Sequence, residues 1–239
     1  MPESTSLLRR AGWVTITLLA TLIALLSARY LTLDPETFLP EQRATYLAHL
    51  APLTLHVGGG VVALVLGPWQ FVPRLRTRHP AVHRLVGRVY VLGALATGVG
   101  GLLLVPTGLA GPIGPIGFAA LAVLLLATTT AGFVTIRRGA VVRHRIWMIR
   151  SYALIFTGVT FRLWLSVLSG AGLPFDQVYG SGAWTSWLID LLVAERLIAR
   201  IRPPRDGRGA DLPAVPGSGS RGRRTTTPAP GDRAGGPVS

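Results

Sequence analysis

Five histidines and a few charges set inside apolar runs are the residues of this chain that can do chemistry. His83 and His144 each sit in a basic, aromatic segment, "HPAVHRLVGRVY" (79–90) and "RHRIWMIRSY" (143–152). In the first, His83-Arg84 is followed by Arg88 and Tyr90; in the second, His144-Arg145 is followed by Arg150 and Tyr152. Two imidazoles on different helices of a bundle can supply both axial ligands of a haem b iron, with the macrocycle slotted between the helices. Arg84, Arg88, Arg145 and Arg150 then suit the propionates or another anion, and Trp147 or Tyr152 can pack on the ring. The competing reading is interfacial anchoring, because basic and aromatic side chains gather at the headgroup level of membrane proteins.

His56, Arg162 and Asp190 form a second set. Each lies within a long apolar run. An ionisable residue inside a membrane is a functional candidate and normally has a partner. At the helical rise, His56 and Arg162 both fall roughly 24 Å from the arginine-rich ends of their runs. Asp190 falls about 9 Å from the opposite edge by the same measure. The expectation is that Arg162 pairs with Asp190 near His56, either as a structural ion pair or as a polar pocket for a quinone, an anion or a proton path. "HVGGG" follows His56, and its three glycines make room for a ring, a ligand or a close helix. His49 lies seven residues earlier, on a similar helical face but nearer the water.

The elements that hold these residues are apolar helices. Of 239 residues, 49% are hydrophobic and only 14% charged, against roughly 25% charged in a soluble domain. Mean hydropathy is +0.47. A bilayer-spanning helix needs about 20 largely apolar residues. Six stretches approach that: 11–28, 50–72, 89–109, 116–136, 146–168 and 184–201, the last being the weakest because it holds Asp190, Glu195 and Arg196. The expected fold is therefore all-α: a polytopic bundle of six transmembrane helices across 11–202, after a short N-terminus (1–10). Residues 203–239 hold 15 Gly or Pro in 37 positions and read as a disordered tail.

The net charge of +14 comes from 24 arginines and no lysine against 10 acidic residues. In a soluble chain it would suggest nucleic acid. Here the arginines alternate from loop to loop: Arg9 and Arg10, then 74–88, then 137–150, then Arg200 onwards, with the intervening loops poor in them. Basic loops near spans stay cytoplasmic, so both termini are expected inside a bacterial plasma membrane. The lipid bilayer is the expected partner and nucleic acid is not. Cysteine is absent, which excludes disulfides, thiolate metal sites, iron–sulfur clusters and cysteine nucleophiles. There is no Gly-rich phosphate loop with a lysine, no HEXXH and no Ser–His–acid spacing.

The two His segments echo one another, as hairpins of a parallel repeat would, which places His83 and His144 at similar depth just before their helices begin. With Gly67-Pro68-Trp69-Gln70-Phe71, His83-Arg84-x-x-Gly87-Arg88-x-Tyr90, His144-x-x-Trp147-Met148-x-Arg150 and Arg162, the chain over about 45–200 resembles the bacterial predicted-membrane-protein family called domain of unknown function 2306. That resemblance implies a multispanning protein without an established activity. A looser, architectural similarity is to cytochrome b561, whose six spans hold two haems by His pairs; here only His83 and His144 would fit that pattern. The expected function is that of an integral membrane protein with a His/Arg-lined polar site. Its alternatives are a quinone-linked haem b redox protein and a small permease or sensor.

Overall fold

A computed structural model describes residues 2–201 of the protein. Helix α1 is Pro2–Ala28; α2, Arg43–Ala48; α3, Leu50–Gln70; α4, Pro73–Arg78; α5, Pro80–Leu104; α6, Ile113–Arg137; α7, Val141–Gly170; and α8, Phe175–Ala199. Five helices are long and apolar enough to cross a membrane: α1, α3, α5, α6 and α7. With α8 they form a helical membrane bundle. α8 matches them in length but carries Asp190, Glu195 and Arg196, so it does not join the five on composition.

Prolines and glycines set the breaks. Pro73 and Pro80 occupy the first turns of α4 and α5, where the missing N–H costs nothing. α6 ends at Arg137, and residues 138–140, with Gly139 at a φ of +73°, reverse the chain into α7. Pro68 lies inside α3, and its carbonyl accepts from Trp13 Nε1 at 3.1 Å, which ties α1 to α3.

α3 and α5 approach most closely, through small residues. A Cβ on Gly59 would stand 2.5 Å from the Gly93 carbonyl oxygen, and one on Gly100 would stand 2.5 Å from the His56 nitrogen. Close backbone approach of this kind is how helices pack where lipid removes the hydrophobic drive. The core runs through Ala63, Leu64, Tyr90, Tyr152, Leu154, Val159 and Trp187, all buried. Leu18, Leu22 and Leu25 of α1 and Leu103 of α5 face outward, as a lipid-exposed surface requires.

Two sequence expectations change here. α5 starts at Pro80 rather than 89, and α7 at Val141 rather than 146. The charged stretches are the first turns of the helices, so His83 and His144 lie within α5 and α7 and not before them. α1 likewise begins at Pro2, so the basic start is helical, while the apolar span within it runs from Arg10. The tail expected over 203–239 lies outside the described residues.

Candidate functional site

The arginine-rich segments converge on one end of the bundle. α4 and the α6–α7 turn lie there, and so does the pairing of Arg150 (α7) with Glu195 (α8). The opposite end is closed by residues 29–49, which fold into short 3-10 turns and α2. Beneath this segment lies a cavity of about 290 Å³, bounded by α1, α3, α5, α6, α7 and α8. Its walls are mostly apolar, including Leu53, Leu64, Leu104, Phe118, Leu121, Leu125, Ile155 and Phe161. The polar side chains among them include Tyr30, Gln42, Tyr46, His56, Thr97, Thr157, Arg162 and Tyr179. Apolar walls with a small number of convergent polar groups are the usual form of a small-ligand site.

Each polar group is held by a neighbour. His56 Nδ1 meets the Thr97 carbonyl at 2.9 Å, and Thr97 Oγ1 donates to the His56 carbonyl, so α3 and α5 clamp the imidazole from both sides. A carbonyl only accepts, so Nδ1 carries the proton and Nε2 of the neutral ring is left with its lone pair. Gly101 faces the ring; a Cβ there would stand 3.2 Å from Nδ1. Arg162 spends one N–H on the Gly158 carbonyl, 2.9 Å away on its own helix. The guanidinium makes no ion pair among the described residues, which hold Arg43–Glu36 and Arg150–Glu195 as pairs.

The capping segment is fixed by rings and one side-chain chain of bonds. Tyr30 stacks on Phe38 at 5.6 Å, and Tyr46 meets both edge-on. Tyr46 donates to Gln42 Oε1 at 2.5 Å, and Gln42 Nε2 donates to Tyr179 of α8 at 2.9 Å. Burial pushes the Tyr46 phenol well above the ordinary tyrosine range; Tyr179 and Tyr30 add to this and Arg162 opposes it. Tyr46 therefore remains a proton donor to Gln42 at any physiological pH.

The structure brings His56 and Arg162 to one cavity and leaves Asp190 out of it. The expected Arg162–Asp190 pair is not formed. Asp190 Oδ1 accepts from Thr160 Oγ1 at 2.9 Å instead. Thr160 and Arg162 are two residues apart, roughly 200° around a helix, so they face opposite ways. His49 caps the start of α3, with Nδ1 on the Thr45 carbonyl at 2.9 Å.

At the other end, His83 and His144 stand in the first turns of α5 and α7. His144 Nδ1 meets the Gly132 carbonyl at 2.8 Å, and His83 Nδ1 is buried without a partner. Arg84, Arg88 and Arg145 are exposed. Arg150 is not free for an anion: its guanidinium binds Glu195 through Nε at 2.5 Å and a second N–H at 3.1 Å, and lies 4.8 Å over the Trp147 ring. Among the described residues no group of three or more His, Asp or Glu side chains gathers to hold a metal ion.

The echoed motif residues do meet, as packing. Tyr90 Oη and Thr129 Oγ1 both bond Ser151 Oγ, at 2.9 and 2.8 Å, joining α5, α6 and α7. Tyr152 fits against Gly67, where a Cβ would stand 2.0 Å from the ring, and packs on Phe71 at 5.7 Å. Gln70 abuts Gly87. Sequence reasoning missed the capping segment, Thr97 and Tyr179. The only signal for the cap was three aromatics, Tyr30, Phe38 and Tyr46, crowded into a short loop.

No curated protein and no solved structure matches this chain. The family described as "Predicted membrane protein (DUF2306)" matches residues 53–198, more than half of the chain, from the second turn of α3 to the end of α8. The protein belongs to that family of predicted membrane proteins.

Proposed function

We propose that the protein binds a small amphipathic anion in the cavity between α3, α5 and α7, as the recognition step of a permease or sensor. The observation that carries this reading is Arg162: a guanidinium deep in an apolar bundle, on a cavity wall, with no carboxylate paired to it among the described residues. An unpaired intramembrane charge is expensive, so it calls for a counter-charge. A carboxylate or enolate head suits the guanidinium, His56 Nε2 is an acceptor for a hydroxyl or other donor carried next to that head, and the apolar walls take the tail. A quinone in its anionic form has the same chemistry.

The working topology has six spans and both termini cytoplasmic, in a bacterial plasma membrane. α8 supports its share of this with an outer face of Leu188, Leu192, Val193 and Leu197, all exposed. A haem b held by His83 and His144 has less behind it. Arg150 is committed to Glu195, and the cavity is lined by neither histidine.

The test is thermal unfolding of the purified protein with decanoate, decanol or a soluble quinone. Decanoate at 100 times its Kd stabilises by about 2.7 kcal/mol. Arg162→Gln abolishes that shift while leaving the unliganded melting temperature near or above wild type. Equal stabilisation by decanoate and decanol, or a shift that survives in Arg162→Gln, refutes the reading.

A further inference from the structure

The face of α8 that packs on α7 carries a polar cluster separate from Arg162. Asp190 Oδ1 accepts from Thr160, and Thr157 stands one turn earlier on the same face of α7, its hydroxyl on the Ala153 carbonyl at 3.4 Å. Its other oxygen, Oδ2, is buried with no hydrogen-bond partner. Ser186 stands one turn earlier on the same face of α8. It is fully buried, and its Oγ also lacks a partner. Gly182, one turn further back, packs against Phe161 and Trp164 of α7. Positions 182, 186 and 190 thus look at α7 throughout, and Ser186 lies between Gly182 and the Asp190–Thr160 bond.

Among the described residues no cation pairs with the carboxylate. α7 presents Thr157 and Thr160, with Arg162 turned away and bonded to Gly158. α6 has no ionisable residue between Ile113 and Ile136. On α8 the nearest ionisable groups are Glu195, bonded to Arg150, Arg196, which is exposed and roughly 240° around the helix from Asp190, and Tyr179, bonded to Gln42. A lone carboxylate in an apolar bundle must be neutralised or coordinated. A set of carboxylate and hydroxyl oxygens without nitrogen or sulfur suits a hard cation or a proton.

We propose that Asp190, Thr157, Thr160 and Ser186 form a binding site for one exchangeable monovalent cation, Na+ or H+, which neutralises the carboxylate inside the bundle. Thr157 also lines the cavity, so the cavity is the ion's route to the site. The site stands whether or not an anion binds at Arg162.

The experiment uses purified full-length protein in nanodiscs, with melting curves in NaCl and in choline chloride at equal ionic strength between pH 5 and 9. Infrared difference spectra follow the carboxylic C=O stretch over the same range. If Na+ is the ion, melting rises with Na+ and more so at high pH, where protons compete less; Ser186→Ala and Thr160→Val each weaken the apparent Na+ affinity at least several-fold. If the proton is the ion, Na+ has no effect, a carboxylic stretch titrates, and Asp190→Asn removes it. Wild-type protein that melts identically in both salts and shows no titrating carboxylic stretch overturns the proposal, even where the Asp190 variant does not fold.

Discussion

Gly59 is the tightest test of how the cavity is held. It lies on α3 one turn after His56, and a Cβ there would stand 2.5 Å from the Gly93 oxygen and 2.6 Å from the Thr97 nitrogen. Both obstacles are backbone, so Gly59→Ala cannot be absorbed by a side-chain rotation; α5 must move. Overpacking of this kind costs about 1–3 kcal/mol, and two rigid contacts under 3.0 Å put it near the upper end. Alanine's better helix propensity returns about 1 kcal/mol. The net loss is about 2 kcal/mol, or roughly 4–8 °C in melting temperature at this chain length. Gly58 is the internal control. Its added Cβ would meet only Leu31, at 4.0 Å, so Gly58→Ala gains about 0.5–1 kcal/mol. The displacement in Gly59→Ala also moves Thr97, which holds the His56 ring, so ligand-induced stabilisation falls together with the melting temperature. The assay is circular-dichroism melting of both variants with and without decanoate. Equal melting temperatures for the two variants refute the packing account of α3 and α5.

Other outcomes follow from single contacts. Ser151→Ala strands the buried Tyr90 and Thr129 hydroxyls and costs about 2–4 kcal/mol; Tyr90→Phe leaves Ser151 bonded to Thr129 and costs about 1 kcal/mol, so chemical or thermal unfolding ranks the serine variant well below the tyrosine one. Glu195→Gln breaks the pair with Arg150; Glu195 is nearly half exposed, so the loss is no more than about 1 kcal/mol and shrinks as salt is added to the melting buffer. The chain has no cysteine, so single-cysteine labelling reports topology cleanly. A membrane-impermeant maleimide added outside cells reacts with Asp34→Cys and Gly172→Cys and not with Arg78→Cys or Arg200→Cys; reaction at position 200 refutes α8 as a sixth span.

How much of this was legible in the sequence depended on whether a feature is local. Each apolar run and its arginine bookends are local, and five of the helices lie where those runs are. The helix starts were misplaced by up to nine residues because hydropathy marks the hydrocarbon and not the helix: Pro80 nucleates α5, and the charged turn through His83 and Arg88 continues it into the interface. The cavity was illegible because its wall is assembled from residues between Ser27 and Tyr179, on six long helices and the cap. Depth along a helix is readable from sequence, so His56 and Arg162 could be set at one level. Which way a side chain points at that depth depends on how the helices are rotated in the bundle, and there the pairing of Arg162 with Asp190 failed.

That failure bears on what α7 and α8 are for. Arg162 and Asp190 carry opposite charges, lie on adjacent antiparallel helices, and are separated along α7 by only two residues, since Thr160 holds the carboxylate. A bundle selected for stability alone would gain by joining them, because two separately buried charges each bear a desolvation penalty that a hydrogen-bonded pair partly offsets. Here the carboxylate is turned to hydroxyls and the guanidinium to the cavity. Keeping the two apart is a standing destabilisation, which the proposed ligands would relieve: an anion at Arg162 and a small cation at Asp190. Thr157, which borders both places, makes the two occupancies neighbours within one helix turn. Decanoate affinity should then rise when Asp190 is neutralised by its cation, and Asp190→Asn should hold the cavity permanently in the high-affinity state. A decanoate affinity indifferent to both Na+ and pH in the wild type would separate the two sites and remove the reason offered for leaving these charges unpaired.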